Sequence, residues 1–142
     1  MNNILNKIQV CEVCKEHLPL GPRPVIQLNE FSKIVIISQA PSRRVHETGI
    51  PWNDASGKKV REWMNVGEEI FYNPACISIL PMGFCYPGKA MSGDLLPRLE
   101  CAPLWHPQAF KNFKSKLLII LMGQYAQRYY TKIVSKEALQ KQ

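Results

Sequence analysis

The sequence predicts an α/β fold, a three-layer α/β/α domain built around a small parallel sheet. Three short apolar runs, at residues 33–38, 77–80 and 117–121, have the composition of strands that are buried on both faces of a parallel sheet. Helical patterns alternate with these runs, which is typical of parallel strands joined by right-handed crossovers. Three strands form a thin sheet, so either the domain is small or a fourth strand is missing from this chain.

The segments on either side of the first strand are predicted to lack regular structure. Residues 1–32 are expected to be irregular, because three prolines near their end exclude a helix and an interior strand: Pro19, Pro22 and Pro24. Residues 43–53 are expected to form a loop, because polar and turn-forming residues dominate there.

Two helices are predicted after that loop. Asp54 or Ser56 is expected to cap the first, which runs to about Asn65 and carries Trp63 on its apolar face. The second helix begins after Gly123, beyond the third strand. Between them, residues 83–107 are predicted to be a long irregular loop, and such loops are usually functional. The tail, residues 131–142, is expected to fray.

Composition and charge limit the class of protein. A chain of 142 residues with 46% hydrophobic content is long enough for one domain with its own core, here residues 1–142. A net charge of +7 suits a partner that carries phosphates, such as DNA, although many basic proteins bind no nucleic acid. The chain has neither an apolar run of the roughly 20 residues that a membrane span needs nor a secretory signal. We therefore expect a cytoplasmic monomer with no membrane partner.

Four of the five cysteines form a pattern that suits a metal centre. Cys11 and Cys14 make a C-x-x-C pair, and Cys85 and Cys101 follow far down the chain. Four thiolates suit either a tetrahedral zinc ion or a four-cysteine iron–sulfur cluster. Cytosolic thiols stay reduced, which favours metal binding over disulfides. The alternative is that Cys85 and Cys101 are buried, unpaired thiols. Cys76 is left over and is interpreted as a small buried hydrophobic residue.

A set of motifs in fixed order resembles a known superfamily. The motifs are Cys11-x-x-Cys14, the loop at residues 37–42, Thr48-Gly49-Ile50-Pro51-Trp52, then Cys85, Cys101 and Met122-Gly123-Gln124-Tyr125-Ala126. In this order they resemble the iron–sulfur families 4 and 5 of the uracil-DNA glycosylase superfamily, over residues 11 to about 130. The stretch at residues 81–106 is also similar to a bacterial subgroup of that superfamily.

The resemblance implies a function, a cofactor and a partner. It implies a DNA-repair hydrolase that cleaves the N-glycosidic bond of uracil or another deaminated base, with DNA as its partner. It also implies a [4Fe–4S] cluster on the four cysteines, with structural zinc as the alternative that the residues leave open. The superfamily fold continues with a further strand, an H-P-S motif and a DNA-wedging loop. We therefore expect this chain to be truncated at its C-terminal side and to lack the last βα unit.

The resemblance and the local residues together assign a candidate site. The first motif loop, with Ser38, Ala40, Pro41 and Ser42, implies backbone contacts to the base, and Trp52 falls where the family stacks an aromatic ring on uracil. Gln39 falls where family 4 holds a carboxylate near the attacking water. His46 and Asp54 flank Trp52 and are candidates for proton transfer. The alternatives are a core position for Trp52, a helix cap for Asp54 and a solvated loop position for His46.

The same resemblance leaves a second function open. Gln39 orients a water but accepts no proton, and Pro81 or Met82 falls where the family reads uracil with an asparagine. A degenerate, non-catalytic member that at most binds nucleic acid is therefore the alternative. A redox protein that uses Cys11 and Cys14 is a weaker third interpretation, because no strand–helix unit of the thioredoxin kind follows them.

Overall fold

The computed structural model describes residues 1–140, with side chains described through Ile133. In chain order, the elements are α1 (Asn2–Gln9), β1 (Ile34–Ile37), α2 (Arg43–Thr48), α3 (Ala55–Met64), α4 (Glu68–Phe71), β2 (Ile77–Ile79), α5 (Cys101–Phe110), β3 (Leu118–Leu121) and α6 (Gln124–Gln140). A single 3-10 turn at Lys15–His17 follows α1.

The sheet has three parallel strands in the order β2-β1-β3. Ile36 of β1 is level with Ile79 of β2 and with Ile120 of β3, so all three strands end at the same edge. The central strand is buried from Val35 to Ile37. These observations confirm the predicted fold class and the predicted positions of the three strands.

Helices cover both faces of the sheet. On one face Val35, Ile37 and Leu80 pack with residues of α1, α5 and α6, including Ile8, Ala109 and Ala126. On the other face Ile36, Ile77 and Ile79 pack with Val60 of α3 and Phe71 of α4. The alternation of side chains along each strand therefore divides the core into two halves, as a three-layer fold requires.

The outer edge of β2 is covered by the N-terminal segment. Gln27 exchanges two backbone hydrogen bonds with Ile79, at 3.0 and 2.6 Å, in a single antiparallel bridge. The side-chain amide of Gln27 (Nε2) also donates to the backbone carbonyls of Phe71 and Ile77. This segment connects the first helix to the sheet and closes one of its two edges.

The prediction that residues 1–32 are irregular was wrong for the first third of that segment. α1 spans Asn2–Gln9 and buries Ile8 against α5. Ile4, Leu5 and Ile8 recur at helical spacing and pack on the same core, a signal that the prolines further on do not affect.

Two other predictions about irregular segments also need correction. Residues 43–48 form α2, with Ser42 as its N-cap and Gly49 at φ 73° as its C-cap. The predicted loop at residues 83–107 ends early, because α5 begins at Cys101. Pro103 lies in the first turn of α5, where the missing N–H is not needed, so it does not break that helix. α6 extends to Gln140, and residues 141–142 lie outside the described part, so fraying of the tail stays a prediction.

No helix within the described residues is both long enough and apolar enough to span a membrane.

Candidate active site

A cleft of about 440 Å³ opens where β1 ends. All but one of the residues predicted to handle a base line it: Ser38, Gln39, Ala40, Pro41, Ser42, Trp52 and Asp54. The volume lies within the range of roughly 300–1,000 Å³ that pockets for small organic ligands occupy. The structure therefore brings these predicted residues together at the ligand-binding edge of an open α/β sheet.

The loop after β1 is held by the backbone of both neighbouring strands. The N–H groups of Met82 and Gly83 donate to the carbonyls of Ser38 and Gln39, at 2.7 and 2.8 Å. From the other side, the N–H of Met122 donates to the carbonyl of Ile37 at 2.8 Å. These bonds fix the position of the loop relative to the sheet.

Gln39 is exposed at the cleft and lies against Gly123. A Cβ at Gly123 would come within 2.8 Å of the Gln39 amide nitrogen, and Gly123 has a φ of 87°. Glycine at this position therefore serves two purposes: it adopts the left-handed conformation between β3 and α6, and it leaves room for the Gln39 side chain.

Ser42 and Asp54 connect the starts of two helices at the cleft. Asp54 caps α3, since its Oδ1 accepts from the N–H of Gly57 at 2.9 Å. Its Oδ2 accepts from the Ser42 hydroxyl at 3.0 Å, and that hydroxyl oxygen in turn accepts from the N–H of Val45 at 3.3 Å. An ionised carboxylate has about four acceptor positions, so Asp54 keeps capacity for a water after these two bonds. The helix-cap interpretation of Asp54 is confirmed, and it is compatible with a role in the cleft.

Trp52 has a strained backbone and a partly buried side chain. Its φ of 59° lies in the left-handed region, which a bulky residue rarely adopts. Its carbonyl accepts from Nη1 of Arg61 at 3.1 Å, and its side chain packs at the edge of the core cluster of Val60 and Phe71. Trp52 thus contacts the core and the cleft at once. Backbone strain of this kind concentrates at functional sites.

His46 lies on α2 and is the one candidate that does not line the cleft. Its ring packs near Tyr86, with 6.2 Å between ring centroids, and its buried Nδ1 has no hydrogen-bond partner among the described residues. Burial, and next the nearby Arg23 guanidinium, lower the pKa of His46. Its placement gives no support to a proton-transfer role in the cleft.

The sequence reasoning missed one wall of the cleft. Ser56, Lys59, Val60 and Trp63, which we call the α3 stripe, line it at helical spacing. Trp63 lies on the same side of α3 as the buried Val60, as predicted, but it is 76% exposed and so takes no part in the core. Asp94, from the loop before α5, also lines the cleft.

The four cysteines predicted to bind metal line a second, much smaller cavity of about 20 Å³. Cys14, Cys85 and Cys101 are buried, and Cys11 is partly buried. Burial raises the pKa of each of the three buried thiols to about 11, so all three are neutral in the absence of a cation. Nevertheless, no three cysteine, histidine or acidic side chains within the described residues are arranged as a metal-binding group.

The polar groups around this cavity are two N–H donors, Arg98 and Trp105, and one carboxylate, Glu100. The Cys14 thiol donates to Oε2 of Glu100 at 2.6 Å, and Arg98 pairs with the same carboxylate at 3.0 Å. Trp105 also lines the cavity, and its indole N–H is buried without a partner among the described residues. Thiolates and sulfides accept hydrogen bonds from N–H donors of this kind, so Arg98 and Trp105 fit a four-cysteine centre. The volume holds about one water-sized group, which suits a single ion, but the thiols would have to move to ligate it.

A comparison with protein families bears on the cleft. Residues 26–141 match the family model described as the uracil DNA glycosylase superfamily. The match covers more than half of the chain and includes the loop after β1, Trp52, Asp54 and the α3 stripe. It begins after Cys11 and Cys14, so it carries no information about the C-x-x-C pair.

Proposed function

The chain belongs to the uracil-DNA glycosylase superfamily, and from this membership we propose that it hydrolyses the N-glycosidic bond of uracil or another deaminated base in DNA. The observation that carries the proposal is the cleft at the end of β1, which gathers the loop at residues 38–42, Trp52 and Asp54. A net charge of +7 suits the DNA partner that members of this superfamily act on. The five cysteines suit a reducing compartment, so we place this activity in the cytoplasm.

The proposed mechanism uses an extruded nucleotide. The base lies in the cleft against the ring of Trp52, and backbone groups of residues 38–42 meet its hydrogen-bonding edge. Asp54 and Gln39 hold a water whose oxygen bonds to C1′ of the sugar as the bond from C1′ to the base breaks. The base leaves with the electron pair of that bond, and the proton of the water passes to the Asp54 carboxylate.

The test is excision of uracil from single- and double-stranded oligonucleotides at protein excess, followed by alkaline cleavage of abasic sites. Asp54→Asn keeps a side-chain oxygen for the helix cap but cannot accept a proton. We expect product from the wild-type chain and a loss of about 100-fold or more in Asp54→Asn. The control is Glu62→Gln, an exposed acid on α3 that does not line the cleft. Equal rates for Asp54→Asn and the wild-type chain would remove Asp54 from the mechanism.

One observation favours a non-catalytic, nucleic-acid-binding member as the second candidate. Pro81 is buried in the cleft wall and offers no side-chain hydrogen bond to a base edge, and Gln39 accepts no proton. In the same assay, DNA binding without any abasic product at protein excess would favour this candidate over the enzyme.

We further propose that Cys11, Cys14, Cys85 and Cys101 hold a metal centre, in the iron–sulfur manner of families 4 and 5. A [4Fe–4S] cluster is the proposed group and zinc the alternative. Support comes from the shared cavity and from Trp105, which lines it and whose N–H has no partner among the described residues. A cluster would require Glu100 and Arg98 to move aside, whereas a zinc ion fits the volume of about 20 Å³. When bound, either group would serve as a structural clasp between the N-terminal segment and α5.

Protein purified without oxygen tests this second proposal. A broad visible absorption band with about four irons per chain is expected for the cluster, and a colourless protein with one zinc for the alternative. Cys101→Ser should abolish the bound metal, while Cys76→Ser, which changes a cysteine outside the cavity, should leave it unchanged. Absence of both metals from freshly purified wild-type protein would end the proposal.

A further inference from the structure

The α3 stripe gives the mouth of the cleft a cation and an aromatic face. Residues at i, i+3, i+4 and i+7 share one side of a helix, and Val60 anchors this side to the core. Lys59 is exposed and forms no ion pair with any residue whose side chain is described, and Trp63 is 76% exposed. The two side chains stand one helical turn apart, about 6 Å along the axis of α3.

A core role explains neither side chain. A large aromatic residue gains free energy mainly from the area it removes from water, and three quarters of Trp63 remains in water. Lys59 adds a positive charge one helical turn from that exposed ring, on the same wall of the cleft. An exposed indole and an exposed ammonium on one wall of a cleft are the combination that binds single-stranded nucleic acid, by base stacking and by contact with the backbone phosphate.

We propose that Lys59 and Trp63 bind single-stranded DNA at the mouth of the cleft, and that the protein prefers single strands to duplexes. Trp63 stacks on the base next to the one in the cleft, and Lys59 contacts the phosphate that joins the two nucleotides. A single strand offers both bases unpaired, whereas a duplex would have to unstack a second base to reach Trp63. The inference rests on the proposed function for the nature of the ligand, but its test requires no catalysis.

Fluorescence anisotropy with a labelled oligothymidine, which contains no uracil, measures the binding. We expect Trp63→Ala to weaken binding at least about fivefold and Trp63→Phe to retain most of it. We expect Lys59→Ala to lower the slope of log Kd against log salt by about 0.7. The matched control is Lys58→Ala, which removes the same charge from the neighbouring, exposed residue of α3 that does not line the cleft.

Because Trp63 is mostly exposed, its variants should have the same Tm as the wild-type chain when unfolding is followed by circular dichroism. Equal affinity of Trp63→Ala and the wild-type chain for oligothymidine would overturn the inference. Tighter binding of a matched duplex, or no binding of the single strand, would overturn it as well.

The two proposals fail in different ways. Binding that depends on Trp63 but releases no uracil would leave the inference standing and remove the proposed enzyme. Release of uracil with full binding by Trp63→Ala would remove the inference alone.

Discussion

At the scale of single residues, the cleft depends on a close approach between Trp52 and Gly57. A Cβ built on Gly57 would lie 1.7 Å from the carbonyl oxygen of Trp52 and 2.9 Å from its Cβ. The first turn of α3 therefore packs directly against the strained backbone that aims Trp52 at the cleft. Backbone atoms cannot move aside as a flexible side chain can, so this contact makes glycine necessary at a helical position.

The first prediction concerns Gly57→Ala. At a solvent-exposed position inside a helix, this change would stabilise the protein by up to about 1 kcal/mol, because alanine has the higher helix propensity. Here we expect the opposite sign, a loss of about 2–3 kcal/mol from overpacking, measured by urea unfolding. Gly67→Ala is the control, because its Cβ would meet nothing within 4 Å, and it should cost less than about 1 kcal/mol. A stable Gly57→Ala with wild-type uracil release would contradict this account of the cleft.

The second prediction concerns His106, which is buried between Phe84 and Tyr130. Its Nε2 donates to the carbonyl of Pro81 at 2.8 Å, which fixes the neutral tautomer and leaves Nδ1 to accept from the Tyr130 hydroxyl. Burial lowers the pKa of His106 to about 4.

The folded pKa of His106 is below the unfolded value of 6.5, so its contribution to stability is present above pH 6.5 and is lost as the pH falls toward 4. We expect the free energy of unfolding to fall by up to about 3 kcal/mol over that range. His106→Gln should flatten the dependence, because glutamine does not titrate. His46→Gln is the comparison variant. If the free energy of unfolding of His106→Gln fell with pH as steeply as that of the wild-type protein, a group other than His106 would cause the dependence.

At the scale of elements, the two edges of the sheet differ. Residues near Gln27 cover β2, whereas β3 forms the other edge and exposes 61% of Leu118 and 42% of Ile119. Apolar edge strands with unpaired backbone groups invite association with other chains.

The third prediction is that Leu118→Lys raises the concentration at which the protein stays monodisperse in light scattering. A charge on an exposed edge blocks pairing with another strand, and an exposed position tolerates it within about 0.5 kcal/mol. Ile120→Lys, two residues along, is the contrasting variant: Ile120 is partly buried against Ile36 and its neighbours, so it should unfold the protein more easily. Unchanged scattering in Leu118→Lys would show that β3 does not drive association.

The elements also show which parts of the fold and of the cleft the sequence could predict, and why the other parts could not be predicted. Apolar runs identified the strands, and burial on both faces accounts for the run in β1. β2 includes the buried Ser78 and β3 exposes Leu118 and Ile119, so burial on both faces was a correct expectation only for β1 and β2. α1 and α5 were missed because nearby prolines were taken as general breakers, although Pro103 sits where a helix tolerates it. The loop after β1 could be placed in the cleft because it directly follows a strand. Lys59 and Trp63 could not, because the sheet and the strained Trp52 turn decide which side of α3 faces the cleft.

At the scale of the whole molecule, the thiol cavity joins segments that are far apart in sequence. Cys11 and Cys14 precede the sheet, whereas Cys85 and Cys101 lie in the second half of the chain. A metal bound there would connect the segment before the sheet with the segment that follows β2. Its binding free energy would add to the stability of the folded state.

The fourth prediction follows from that connection. We expect removal of bound metal by a chelator to lower the Tm of the wild-type protein and to leave the Tm of Cys101→Ser unchanged. Hydrogen exchange would locate the effect, with faster exchange after chelation in residues 8–18 than in β1. An identical Tm before and after complete removal of the metal would mean that the centre contributes nothing to folding.

The backbone bridge at Gln27 has a consequence for assembly. Of the two lateral boundaries of the sheet seen in the described residues, one is closed by this bridge and one is open. Sheets that join through their sides grow into fibres only if every copy has a free side left after joining. Here one edge of the sheet is already closed, so a molecule that pairs through the other edge has no free edge left. Association through the sheet would therefore stop at a dimer.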